Sequence, residues 1–201
     1  MKEADALRYY MATAAPVGKD GNYSDNDFKE KVNAHLANSM GNLLNRTLSM
    51  LVKYFDGEIK PEFVVKSELF DDCKKAIDEV KHHFNYYEIA EAALKIVELV
   101  DKTNKFVTDN APWTLAKEEK MNECGQVLYT VLEVMCVVAS LIYPYCPNIA
   151  QKMAKQLQYD ITTKLDDIEI KNIKIGKLIS KEEISPVFLR LDSELAVNKK
   201  A

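Results

Sequence analysis

Asn38, Asn42 and Arg46, spaced four apart, and a tryptophan set directly behind a proline, Pro112-Trp113, are the groups in this sequence best suited to molecular recognition. Amides donate and accept in the pattern of a base edge. The planar fork of arginine both stacks and donates paired hydrogen bonds. Trp113, the sole tryptophan of 201 residues, offers a flat indole, and stacking on such a face stabilises by about 1–3 kcal/mol per base. Together these groups predict a grip on unpaired bases.

Each feature also has a plain structural reading. A polar row is what any surface helix carries, and a lone tryptophan is more often packed than offered to a ligand. Most solvated faces, however, are built from Lys and Glu, which form helices well, whereas asparagine does not. No carboxylate interrupts the sequence between Glu30 and Asp56.

The totals narrow the choice. The net charge of −4, from 27 basic and 31 acidic residues, speaks against a protein that holds a duplex mainly through phosphates, and no DNA partner is expected. Cys73, Cys124, Cys136 and Cys146 form no CxxC pair, and His82-His83 lacks a second ligand pair, so neither disulfides nor a metal are expected. No glycine-rich phosphate loop, nucleophile elbow or His-Glu metal spacing occurs, so no catalytic residue is assigned and no cofactor is expected. Lys152-Met-Ala-Lys155 imitates a phosphate-gripping lysine loop but sits within a helical pattern. Val127 to Tyr143 is apolar but carries Glu133 and falls short of the roughly 20 residues of a membrane span. It reads as the buried helix of a bundle, in a cytoplasmic protein with no membrane partner.

The positioning elements follow from periodicity. Six glycines and six prolines favour long helices over an all-β sandwich. A short helix is expected over Ala4 to Met11. Ser24, with Asp27 three residues on, predicts a capping box opening a helix that runs to Phe55. Its buried row is Val32, Leu36, Met40, Leu43, Thr47, Leu51 and Phe55; His35, Asn38, Asn42, Asn45, Arg46 and Ser49 fall opposite. The Asn38–Asn42–Arg46 row drifts only about 40° per step. Gly57 suits a left-handed cap. A second helix follows Pro61, and a third begins at Asn85, with Glu88 completing another capping box, and reaches about Thr108. Pro112 forces a break and pushes Ala111 out of the α region. A fourth helix spans Lys117 to Ile142, and a shorter one Asn148 to Leu157. Beyond Asp160, alternation over Ile168 to Ile175 suggests short strands or an extended arm, and Pro186 to Leu191 a strand or docked tail. The fold expected is all-α, an up-down helix bundle with a short N-terminal segment and a C-terminal extended arm.

These segments carry a family resemblance. Asp5-Ala-Leu-Arg-Tyr-Tyr and Pro16-Val-Gly-Lys-Asp-Gly-Asn-Tyr-Ser resemble the stretch after the signature lysine loop of methionyl-tRNA synthetases. Asn33-Ala-His-Leu-Ala-Asn-Ser-Met-Gly-Asn-Leu-Leu-Asn-Arg is similar to the first helix of their anticodon-binding bundle. Asn110-Ala-Pro-Trp-Thr-Leu-Ala-Lys resembles their anticodon-loop corner, and Pro186-Val-Phe-Leu-Arg-Leu-Asp their folded-back tail. The resemblance implies three parts: residues 1–23 from the stem-contact region, 24–160 the anticodon-binding bundle, and 161–201 the arm. It implies a tRNA(Met) partner read at its CAU anticodon, with Trp113 stacking on the first base, Pro112 beside it, and Asn42 and Arg46 contacting bases or backbone. Asn38 extends the same row. The family's His-x-Gly-His motif and lysine loop are absent. The chain is therefore expected to be a non-catalytic, monomeric fragment, with ATP and methionine bound in a domain it lacks. Two other readings stay open: a helical protein–protein interaction domain, and the anticodon bundle of a cysteinyl, valyl or isoleucyl relative.

Overall fold

The computed structural model describes residues 2–15, 17–18, 20–171 and 173–191. Pro16 and Lys19 of the predicted loop, and the tail from Asp192 on which the monomer expectation partly rested, lie outside them. Among the described residues eight α-helices dominate: α1 Lys2–Ala14, α2 Asp25–Val32, α3 Asn42–Phe55, α4 Glu68–Asn85, α5 Ile89–Asn110, α6 Pro112–Lys117, α7 Met121–Ile142 and α8 Pro147–Leu157. A π-helical segment, Asn33–Gly41, joins α2 to α3 without a break. Among the described residues the strands are β1 Glu58–Ile59 and β2 Gly176–Lys177, paired antiparallel with Glu58 opposite Lys177.

The bundle is built around α7. From Val127 to Ile142 every residue is buried, and α3, α4, α5, α6 and α8 all pack on it. Although this helix is long and apolar enough to cross a membrane, 94% of its apolar window is covered by the bundle. Such all-round apolarity is what a central bundle helix requires. The predicted buried row of the first long helix, Val32 through Phe55, is buried throughout. All four cysteines are buried and unpaired.

α1 runs three residues past its expected end and locks onto α8. The fully buried Asp5 carboxylate accepts from the backbone N–H of Ile149 at 2.9 Å and from Asn148 Nδ2 at 2.9 Å, while Arg8 Nη1 donates to it at 3.1 Å. It satisfies an orphan donor in the first turn of α8 and meets the positive end of that helix.

Several local expectations are corrected. The helix α5 starts at Ile89, not Asn85, and no capping box forms: Glu88 turns back to pair with His83 Nδ1 at 2.7 Å. Tyr86-Tyr87 form the turn, with Tyr87 at φ 60°. The left-handed cap of α3 begins one residue early, at Asp56 (φ 53°), and continues through Gly57 (φ 74°). The expected fourth helix is α7, which starts at Met121 and not at Lys117; a short helix that was not expected, α6, precedes it, with Pro112 in its first turn, where its missing N–H costs nothing.

Of the two forms that alternation suggested over Ile168 to Ile175, the arm takes the extended one, and among the described residues of that stretch there is no strand. Its backbone is held instead by side chains. Glu133 Oε1 accepts from Ile173 N–H, Ser140 Oγ from Thr162 N–H at 3.1 Å, and the Gln156 amide takes both the N–H and the carbonyl of Ser185 at 3.0 and 3.1 Å. Pro186 to Leu191 dock as an irregular tail. Leu191 N–H donates to Asn33 Oδ1 at 3.0 Å, and Val187 and Phe188 are buried.

Candidate nucleic-acid interface

The π segment explains how a row of side chains four apart stays straight. The seven buried positions from Val32 to Phe55 are spaced four, four, three, four, four and four. An α-helix at 3.6 residues per turn would rotate that row well off its face. Nine π residues, bonded i→i+5 at roughly 4.4 per turn, take up the difference and bring the row to about six whole turns. The exposed row gains equally. The step Asn38 to Asn42 lies largely in the π segment and falls roughly 30° short of a full turn, whereas Asn42 to Arg46 is α-helical and overshoots by about 40°. The two drifts nearly cancel, so Asn38 and Arg46 stand almost in line. Gly41 sits inside the segment because a Cβ there would meet the Leu36 carbonyl oxygen at 2.9 Å.

Asn38 and Asn42 are exposed, and Arg46 is half-buried. Arg46 is not the freely solvated cation that its place on a polar row suggested. Its Nη2 donates to Asn104 Oδ1 on α5 at 3.0 Å. Asn104 Nδ2 donates to Ser39 Oγ at 3.2 Å, and Ser39 Oγ donates to Asp101 at 2.8 Å. A chain of polar contacts thus ties the row to α5. Burial pulls the Arg46 pKa below its ordinary value, and Nε is buried with no partner among the described residues. His35, expected on the polar face, instead has Nδ1 bonded to Tyr9 OH at 2.7 Å; it braces α1 and does not join the row.

The second half of the site is made where α5 ends. Ala111 turns left-handed (φ 39°, ψ 64°), closing α5 through its N–H to the Val107 carbonyl at 3.0 Å. The next residue starts α6. Pro112 is buried and Trp113 is 37% exposed, so the proline anchors the corner while the indole keeps an open face. Trp113 lies at the start of α6, three residues past the end of α5, the helix whose Asn104 holds Arg46. Both halves therefore hang on α5. Asn104, Ser39 and Asp101 were not singled out by sequence; nothing in a window around Asn104 separates it from an ordinary helix polar residue. Among the described residues no group of three or more His, Cys, Asp or Glu side chains could hold a metal ion.

With this geometry in view, the comparisons with known proteins are specific. Residues 62–190 match the family model of the anticodon binding domain of methionyl tRNA ligase, and residues 1–48 that of class I tRNA synthetases (M). The chain is 38% identical over 201 residues to the methionine–tRNA ligase of Fusobacterium nucleatum, covering 94% of this chain and 31% of that protein. It is 32% identical over 199 residues to that of Clostridium acetobutylicum, covering 97% and 31%. It superposes on free-state methionyl-tRNA synthetase of Mycobacterium tuberculosis with a TM-score of 0.84 at 28% identity, covering 94% of this chain and 39% of that one. The chain thus spans about a third of the length of the curated relatives it matches. Matching over more than half its length, with its helices in the same arrangement, the chain belongs to the family of methionyl-tRNA ligase anticodon-binding domains.

Proposed function

We propose that this chain binds the anticodon loop of tRNA(Met) and selects CAU, with Trp113 stacking on the first base, Pro112 fixing the indole, and Asn42 and Arg46 contacting bases or backbone. Asn38 prolongs the same row. The observation that carries the reading is the Arg46–Asn104 bond: it sets a guanidinium and an exposed amide row on the helix pair whose far corner presents Trp113. A fork already held at Nη2 loses little freedom on binding. In a complete methionyl-tRNA synthetase, ATP and methionine would be handled by a catalytic domain, and loop binding would help orient the acceptor end toward it. Residues 24–160 would form the recognition bundle, residues 1–23 its link to the stem-contact region, and the arm its brace, in a cytoplasmic, monomeric assembly.

The sole tryptophan makes the test direct. A CAU anticodon hairpin titrated into the chain should quench Trp113 emission, and a hairpin changed at the first anticodon base should quench it much less. Emission unaltered by CAU at high micromolar RNA would refute the stacking role and favour a protein-binding bundle.

A further inference from the structure

The recognition row does not stop at Asn38. Asn26, Glu30, Ala34, Asn38 and Asn42 are all exposed at successive four-residue steps, and a trough of about 320 Å³ opens beside them between this ridge and the C-terminal tail. Asn26, Lys29, Glu30, Asn33 and Asn38 line one side, with Arg190 from the tail. The trough is held in shape from below, because buried Asn33 accepts the Leu191 N–H at 3.0 Å. Asn38 belongs both to the trough and to the row proposed to meet the loop. From Asn38 the trough leads roughly 18 Å along the helix, away from Arg46.

Its chemistry is that of a ribose–phosphate chain. Lys29 makes no ion pair among the described residues, so its ammonium is available to a phosphate. Arg190, which has a partner of its own, adds positive charge on the facing wall. Asn26 and Asn38 offer amides of both polarities. Glu30 is the discriminating group. A carboxylate repels a free phosphate but accepts from a hydroxyl, and of the two nucleic acids RNA alone offers a 2′-hydroxyl along its backbone.

We infer that this trough binds the sugar–phosphate backbone of the stem continuing from the loop held at Asn42, Arg46 and Trp113, an assignment that rests on the loop reading. Lys29 contacts a phosphate and Glu30 a 2′-hydroxyl, so the site extends the grip from unpaired bases to the paired stem without reading stem sequence.

The test compares wild type with Lys29→Gln, which removes the charge at a half-buried position and keeps a good helix former there. A dye-labelled CAU hairpin read by anisotropy reports overall binding, and Trp113 quenching by the unpaired loop heptanucleotide reports the loop alone. Lys29→Gln should weaken hairpin binding about three- to tenfold and lower the slope of log K against log salt by about one, while leaving heptanucleotide quenching unchanged. A hairpin with 2′-deoxyribose in the stem should likewise bind wild type more weakly. Indole quenching with hairpin affinity and salt slope indifferent to Lys29 overturns the trough and keeps the loop reading. Hairpin binding that depends on Lys29 but leaves the indole silent keeps the trough and overturns the loop reading. No hairpin binding overturns both.

Discussion

Asn104 Oδ1 lies 3.0 Å from Arg46 Nη2, so an amide on α5 holds the guanidinium of α3 in place. The contact costs some desolvation, as the lowered Arg46 pKa and the unpartnered Nε record. A half-buried cation whose desolvation is only partly met by hydrogen bonds contributes little net stability, and the Asn104 amide it leaves behind keeps its bonds to Ser39 and to the Val100 carbonyl. Arg46→Ala should therefore weaken hairpin binding tenfold or more while shifting Tm by no more than a degree or two. Asn104→Ala, which leaves Arg46 intact but free to swing, should give a smaller loss of about three- to tenfold. In a double-mutant cycle the two effects should fail to add. Additive losses measured by titration would mean that Asn104 acts independently of Arg46.

Trp113 is the aromatic half of the site, and its partial exposure separates two functions in one side chain. The packed part contributes to the α5–α6 corner; the exposed face is available to a base. Trp113→Ala should lower hairpin affinity by about the 1–3 kcal/mol of one stack, roughly five- to 150-fold, with a stability loss near 1 kcal/mol for the half-buried ring. Trp113→Phe should recover most of the stability and only part of the affinity, since the smaller ring covers less of a base. Equal recovery of both, by chemical unfolding and hairpin titration, would make the residue a packing group.

What sequence could and could not reveal divides along physical lines. The Asn38–Arg46 row and the Val32–Phe55 core row are local patterns, and both were legible as periodicity. The π segment was present in the same pattern, since spacings that average about 3.8 exceed the α-helical 3.6, but a tolerance for threes and fours hides it. Asn104 was not legible, because its role depends on where α5 crosses α3. The missed β1–β2 pair is two residues long and set by how the arm lands on Gly57, whose carbonyl accepts from Leu178 N–H at 2.9 Å. Alternation over Ile168–Ile175 fitted strands and an extended arm equally, and only the tertiary structure decides between them: the Ile173 N–H is taken by the Glu133 side chain of α7, a bond that leaves no strand pattern.

Asp5 carries the attachment of α1 to the bundle. Truncating it strands the buried Ile149 N–H and the half-buried Asn148 amide, while the exposed Arg8 guanidinium can turn to water. Each unmet buried donor costs about 1–3 kcal/mol, and part is recovered by relaxation toward water on the Arg8 side. Asp5→Ala should destabilise by about 3 kcal/mol, measured by urea unfolding. Asp5→Asn, which keeps one acceptor oxygen, should cost less than half as much. An Asp5→Ala protein as stable as wild type would show that α1 is held by packing alone.

Glu133 gives a stability prediction with a definite sign. Its carboxyl is fully buried on α7, accepts from the Ile173 N–H, and is pushed above its ordinary value of 4.5 chiefly by burial, against the opposing pull of the Ile173 and Tyr129 hydrogen bonds. Above 4.5 the unfolded chain releases this proton while the folded chain retains it, so the group makes stability fall as pH rises, until the folded carboxyl has also ionised. Glu133→Gln keeps an acceptor for Ile173 and removes the buried charge. The variant should melt a few degrees above wild type at pH 8, and the gap should close as pH falls toward 4.5. The readout is Tm at a series of pH values in one buffer ionic strength. A wild-type chain whose Tm exceeds the variant's at pH 8 would mean that the charged carboxylate's bond to the arm outweighs the cost of burying it.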